Sequence, residues 1–486
     1  MLSYLLKIKI GIGMIGRIRE QEMLQRAYES AYSEFVAVYG RRRVGKTFLI
    51  RETFNSRFTF QHAGVANSGT KIQLDRFRRS LIESGHVKCP ALKNWFQAFD
   101  ELKEVVKASC VARKILFIDE MPWMDKPNAN FIPALENFWN AWASARKDVL
   151  LVICGSATSW MLNKVIHSRG GLHNRVTVRI PLRPFTLAEC EALASSMGLE
   201  ATHYQLAQYY MALGGVPYYW NYLQRGMSVA QNMDELFFAG NDKLEKEFDE
   251  LYASLFARQE PYVAIVRALG KRKLGLTREE LSENTGISNS GTLTKYLKEL
   301  EQCGFVRRYQ VAGKKVRDSI YQLFDNFTLF CLRYANENAG EDPRFWTTSV
   351  GTPLESAWAG LSFELVCLEH VEQIKRALQI GGVRSRNYAW RCERPEDDSE
   401  KGAQIDLLID RDDGVVNVCE MKFCSKQYAL KEVDDLSVRN KKAAFRRETG
   451  TRKSVHVTYV TTFGLARNAY ANSVQSEVTL DDLFRA

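Results

Sequence analysis

Three short stretches of the chain are largely apolar: FVAVYG from Phe35 to Gly40, KILFIDE from Lys114 to Glu120, and VLLVICGS from Val149 to Ser156. Continuous apolar runs of this length predict strands buried on both faces, as a parallel sheet between helices requires. Residues 186–250 carry helical patterning and little chemistry. Beyond Glu260-Pro261, Thr277 opens a helix as its N-cap, with Glu280 completing a capping box. The next helix puts Leu293, Leu297 and Leu300 on one face and leaves Asn289, Ser290, Thr292 and Lys295 outward. Two runs around Ala312-Gly313 predict a hairpin bearing Lys314, Lys315 and Arg317. A helix over residues 357–370 then precedes QIDLLIDRDDGVVNVCEMKF, residues 404–423, whose apolar runs flank a turn and predict a second hairpin.

Composition narrows the class without naming it. A chain of 486 residues exceeds one compact core and implies roughly two to four domains. Its 67 Lys and Arg against 57 Asp and Glu leave a net charge of +10, which favours an anionic partner. Nucleic acid fits that charge better than a membrane, and no run of eighteen or more apolar residues is present to span a bilayer. The segment MLSYLLKIKIGIG is interrupted by Lys7 and Lys9 and lacks a small-residue cleavage site, so a signal peptide is not expected, and Met14 is a second sensible start. Ten cysteines without a Cys-x-x-Cys pair, the closest being Cys419 and Cys424, read as reduced thiols of a cytoplasmic protein.

Chemistry enters directly after the first strand. GRRRVGKT comprises Gly40, Arg41, Arg42, Arg43, Val44, Gly45, Lys46 and Thr47, and Phe48 begins the helix-like FLIRETF. Strand, glycine loop and helix form the setting of a P-loop, in which backbone N–H groups cradle phosphates. In that setting Lys46 reaches the β- and γ-phosphates of ATP and Thr47 offers a hydroxyl to Mg²⁺. The second apolar strand ends in Asp119, suited to hold Mg²⁺ through water, and Glu120, suited to polarise an attacking water. The third delivers Ser156 at its C-terminal end, where ligands of parallel sheets bind.

In order and spacing, MIGRIREQEML, GRRRVGKT, FIDE with MPW, CGSATSWM, GGLHNRVTVRIPLRPFT and LGGVPYYW resemble the archaeal-type ATPases of the AAA+/STAND neighbourhood. The resemblance implies that Gly16, Arg17 and Glu20 lie near the nucleotide base. It places Arg175 at the charge-neutralising arginine position, with Arg169 as a competitor, in its own subunit or in a neighbour's within a homo-oligomer. Gly214-Gly-Val-Pro217 resembles the element that couples nucleotide state to the lid, though an ordinary helix-ending turn fits it equally well.

The region with the basic hairpin resembles a winged helix that meets double-stranded DNA, with protein docking as the alternative. In the C-terminal region, Glu364 on a helix, Asp406 on one strand and Glu420-x-Lys422 on the next resemble the PD-(D/E)xK nuclease core. That resemblance implies a Mg²⁺ held by Glu364, Asp406 and Glu420, with Lys422 orienting water or neutralising a phosphate. Ile405 stands where the pattern has proline. A hairpin pairing Asp410 with Val416 would turn Asp406 toward Glu420, whereas a one-residue slip would turn it away.

The expected architecture is therefore α/β. A P-loop, AAA+-like parallel sheet spans 14–185, a helical lid 186–254, a winged helix-turn-helix 255–335, and a restriction-endonuclease-like α/β domain 350–486. The expected function is ATP binding and hydrolysis at DNA, with nucleotide state controlling the winged helix and the nuclease-like domain. An ATP-switched regulator with an inactive nuclease fold is the alternative.

Overall fold

The computed structural model describes residues 14–485 apart from 168–169, 241–242, 245, 257, 274, 310–318, 339–340 and 393–401. Arg169 and the hairpin cations Lys314, Lys315 and Arg317 fall outside the described residues. The chain divides into two compact units, one up to Arg183 and one from Pro184 onward.

The first unit is built on five parallel strands: β1 (Glu34–Tyr39), β2 (Phe60–Ala63), β3 (Lys114–Asp119), β4 (Val149–Gly155) and β5 (Val178–Pro181). Their order is β2-β3-β4-β1-β5, typical of P-loop ATPases, with β4 inserted between the P-loop strand and the carboxylate strand. Alternation sends successive side chains to opposite layers. Phe35, Ala37, Leu116, Ile118, Leu151 and Ile153 pack with Phe77, Phe99 and Phe138, whereas Val36, Val38, Ile115, Phe117, Leu150 and Val152 pack with Leu24, Leu49 and Ile50. Burial on both faces explains why these strands read as unbroken apolar runs.

The second unit begins with helices over Leu187–Ser196 and His203–Leu213, each opened by a threonine capping box. Gly214-Gly215 then turns the chain against the start of the unit. A Cβ on Gly215 would lie 1.8 Å from the Phe185 carbonyl oxygen, so glycine is required by close approach. The Trp220 indole donates to the Gly214 carbonyl at 2.8 Å, fixing the same turn.

Three helices, Glu260–Gly270, Arg278–Thr285 and Gly291–Gln302, follow with the antiparallel strands β6 (Val306–Tyr309) and β7 (Ile320–Leu323). The capping box of Thr277 and Glu280 forms, and Leu293, Leu297 and Leu300 are buried. Asn289, Ser290, Thr292 and Lys295 are exposed. Arg278 holds the Asn289 side-chain oxygen and the Thr294 hydroxyl, bracing the turn between the two helices.

The chain ends in a mixed sheet ordered β12-β11-β10-β9-β8. Its strands are β8 (Ser385–Cys392), β9 (Ala403–Arg411), β10 (Val415–Lys422), β11 (Ser454–Thr461) and β12 (Ser476–Thr479). The hairpin of β9 and β10 is antiparallel, whereas β10, β11 and β12 run parallel. The helix Pro353–Glu369 carries Glu364, and Glu432–Thr449 connects β10 to β11. Among the described residues, no helix is long and apolar enough to cross a membrane. The ten cysteines are thiols, most of them buried.

Candidate active site

At the end of β1 the backbone turns through Gly40, where a Cβ would lie 2.2 Å from the Leu182 carbonyl oxygen. The loop reaches Gly45 at φ 90°, the residue capping the helix Lys46–Thr53. Lys46 is 5% exposed, and its ammonium donates to the carbonyls of Gly40 and Arg41 at 3.0 and 2.9 Å. Arg17 is also buried, and its guanidinium bridges from the Val44 carbonyl to the Arg183 carbonyl. Gly16 adjoins it, its carbonyl accepting from Gln21 at 2.8 Å.

Three strand ends meet beside this loop. The Thr47 hydroxyl donates to Asp119 Oδ2 at 2.7 Å, and the other Asp119 oxygen accepts from the Glu120 backbone N–H at 2.8 Å. Glu120 sits in the left-handed region at φ 43°, a conformation costing about 1 kcal/mol or more in a non-glycine residue. Its carboxylate accepts from the Ser156 hydroxyl at 2.8 Å. Buried Cys154 senses the group: burial pushes its thiol well up, Asp119 adds to the rise, and Lys46 opposes it. Thr47, Asp119, Glu120 and Ser156 thus form one hydrogen-bonded chain next to Lys46. Arg175 is exposed ahead of β5 and takes no part in it. Phe48 is likewise exposed, and Arg42 and Arg43 are half-buried.

These residues fit a magnesium nucleotide. A hydroxyl and a carboxylate at hydrogen-bond distance are hard oxygen donors, and an ammonium held by loop carbonyls at a helix N-terminus suits phosphate. Parallel sheet, P-loop and carboxylate strand together define a P-loop ATPase domain. Residues 15–223 match the family model described as an ATPase domain predominantly from Archaea. Over 379 residues the chain is 26% identical to an uncharacterized protein of Methanocaldococcus jannaschii, covering 74% of this chain and 78% of that protein. Among solved structures, a Walker-type ATPase of Pyrococcus abyssi is similar at 16% identity and a TM-score of 0.48, covering 66% of this chain and 96% of that one. The Aeropyrum pernix ORC1 protein in complex with DNA is similar at 11% identity and a TM-score of 0.35, covering 65% and 90%.

The second candidate site lies on the C-terminal sheet. The hairpin adopts the expected register: Asp410 pairs with Val416, and the ladder runs to Leu407 opposite Cys419. Asp406 and Glu420 are the next residues beyond its last pair. Strict alternation does not survive in β9, because Ile405 and Leu408 both enter the cluster with Val416, Val418 and Phe445. A register shift between Tyr388 and Trp390 on β8 accompanies this break.

Each carboxylate already has a partner. Lys273 donates to Glu364 Oε1 at 2.7 Å, Lys441 pairs with Glu420 Oε1, and Gln404 donates to Asp406 Oδ1. Burial pushes the Glu364 carboxyl up to about 7, Asp406 adds to the rise, and Lys273 opposes it. Lys422 lies 5.7 Å from the Tyr428 ring centre, over its face. Among the described residues, the group of three metal-ligating side chains with all ligand atoms within 4.8 Å of one another is His86, Cys89 and Glu101. Glu364, Asp406 and Glu420 are not among the groups gathered that closely, each being held by its own partner. Two ammoniums, those of Lys273 and Lys441, occupy an oxygen of Glu364 and of Glu420, so a divalent cation would compete with them for those oxygens. Lys273, Lys441 and Gln404 were missed by sequence reasoning. Only Gln404 left a trace, two residues before Asp406 on the same strand.

Proposed function

We propose that the chain binds and hydrolyses ATP with Mg²⁺ and acts on double-stranded DNA, with the C-terminal module as a nuclease-like domain. The hydrogen-bonded chain from Thr47 through Asp119 and Glu120 to Ser156 carries the ATPase part of this reading. Lys46 and the backbone N–H groups after Gly45 bind the phosphates, Thr47 and Asp119 hold the metal, and Glu120 accepts a proton from the attacking water. Ser156 holds the Glu120 carboxylate in place and senses the γ-phosphate, while Arg175 reaches the developing charge from its own subunit or from a neighbour in a homo-oligomer. Magnesium, when bound, neutralises charge on the phosphoryl oxygens.

DNA is the partner that the net charge of +10 favours. The helices Arg278–Thr285 and Gly291–Gln302 support a helix-turn-helix reading, and exposed Lys295 and Thr292 are the groups that approach the groove. The helix with Glu364, the β9–β10 hairpin and the helix crossing to β11 support the nuclease-like reading. A cytoplasmic location agrees with ten thiols.

A second reading makes the C-terminal domain a DNA- or protein-binding regulator without cleavage. The ammoniums of Lys273 and Lys441 on Glu364 and Glu420 favour it. A cleavage assay on duplex DNA with Mg²⁺ or Mn²⁺, with and without ATP, separates the two. Metal-dependent cleavage lost in Glu420→Ala supports the nuclease. Equal background in wild type and variant leaves the regulator.

A further inference from the structure

Besides Lys441, two cations at the acidic face, Lys273 and Arg307, come from a different module of the second unit, and they are held in a frame. Lys273 follows the helix Glu260–Gly270, ninety-one residues before Glu364 in sequence. Its backbone carbonyl accepts from Gln322 Nε2 at 2.7 Å, and Gln322 Oε1 accepts from Arg307 Nε at 2.7 Å. Gln322 on β7 is buried and therefore fixes Lys273 and Arg307 relative to each other. The Arg307 guanidinium lies over the rings of Tyr309 and Phe324, at 5.0 and 5.5 Å from their centres. Asp406 and Glu364 both act on it, opposing the effect of burial. Lys273 in turn feels Glu364, Asp406 and Glu420, all of which favour its charged form against burial.

One ammonium and one guanidinium from residues 255–335 thus confront three carboxylates from residues 350–486. A surface ion pair would be incidental, but this pair has its acid largely buried: the Glu364 side chain is 14% exposed, against 46% for Lys273. Gln322 anchors the backbone of Lys273 and the guanidinium of Arg307, and two rings brace Arg307, so the segment that presents Lys273 to Glu364 is fixed in place. A divalent cation binding the same face must displace Lys273 from Glu364 before it gains an oxygen ligand there.

We propose that Lys273, positioned with Arg307 through Gln322, is a built-in cation lock that holds the acidic face of the C-terminal domain closed to divalent metal. The inference rests on the nuclease-like reading of that face but concerns its regulation. DNA phosphate is the ligand chemistry that draws Lys273 and Arg307 away, because it offers both cations a counter-ion while leaving the carboxylates to the metal.

The test is Mn²⁺ binding to the full chain without nucleotide, followed by calorimetry and by Mn²⁺ electron paramagnetic resonance. Binding lost in Asp406→Asn is assigned to the acidic face. Lys273→Met should raise Mn²⁺ affinity at that face by about tenfold or more, as expected when a competing partner of a part-buried carboxylate is removed. Lys273→Arg retains the cation and should keep the wild-type affinity, and its circular dichroism and that of Lys273→Met report folding. Unchanged or weaker Mn²⁺ binding in a folded Lys273→Met protein overturns the lock, whatever the cleavage assay gives. Tighter Mn²⁺ binding in Lys273→Met without DNA cleavage upholds the lock and removes the nuclease reading instead.

Discussion

The two candidate sites of this chain are both built around carboxylates, at strand ends in the first unit and on a helix and two strands in the second, yet their partners differ in kind. Asp119 and Glu120 are met by neutral hydroxyls, those of Thr47 and Ser156. Glu364 and Glu420 are met by ammoniums, those of Lys273 and Lys441. A hydroxyl donates one hydrogen bond and yields to a metal or a water while remaining a ligand itself. An ammonium offers no lone pair, so metal binding requires its removal and the separation of two opposite charges. The difference teaches that acidic residues alone do not make a metal site: the charge of what faces them decides whether it is open.

The largest effect that would break this contrast belongs to the P-loop. Lys46→Ala removes the one buried ammonium of the loop and should weaken ATP binding on the order of a thousandfold, as expected for a charge-paired phosphate contact. Isothermal titration with ATP and Mg²⁺ measures it, and near-normal affinity would place the nucleotide elsewhere.

Next comes pH, which tests each unit through one buried histidine. His62 in the first unit and His370 in the second are held at about 4 against an ordinary 6.5, both chiefly by burial. His370 accepts from the Leu187 N–H and donates to the Val366 carbonyl, so it is needed as the neutral imidazole. Because the folded values are lowered, the unfolded chain binds the additional protons between pH 6.5 and 4. Stability is therefore complete above about pH 6.5 and is lost as pH falls toward 4, by about 3 kcal/mol at each site. Urea unfolding at pH 7.5 and 4.5 should show this loss, and His62→Phe should remove the first unit's share.

Removing Lys273 has a smaller effect on stability. Its side chain is nearly half exposed but Glu364 is only 14% exposed, so Lys273→Met should cost about 2 kcal/mol, between a surface pair and a buried one. The double variant with Glu364→Gln should recover most of that, read as the shift in the urea midpoint. Thr277→Ala, which removes only the capping box of one helix, should cost about 1 kcal/mol, and a loss several times larger would show that this turn supports more than its own helix.

The same contrast explains what was legible in the sequence. The P-loop, its helix and the carboxylate strand depend on local order, strand then glycine loop then helix, and contiguous residues encode them. The register of β9 against β10 was reached through chemistry rather than the turn: of the two registers weighed, the one that turns Asp406 toward Glu420 pairs Asp410 with Val416, and that pairing is present. Lys273 was not, because nothing around it distinguishes it from a surface lysine, and its meaning arises only when Glu364 folds against it. The break in alternation between Ile405 and Leu408 was hidden too, since it comes from an extra residue of β9 in its pairing with β8, Asp406 and Leu407 standing against Ala389 alone. Gly215 read equally well as a turn residue, and only the closeness of the Phe185 carbonyl makes it indispensable.

In the proposed function the first unit hydrolyses ATP with Glu120 positioning the water. Parallel measurement of ATP binding and steady-state turnover for wild type and Glu120→Gln tests it most directly. Glu120→Gln should retain ATP affinity with turnover reduced about a hundredfold or more, and full turnover in this variant would contradict the role of Glu120.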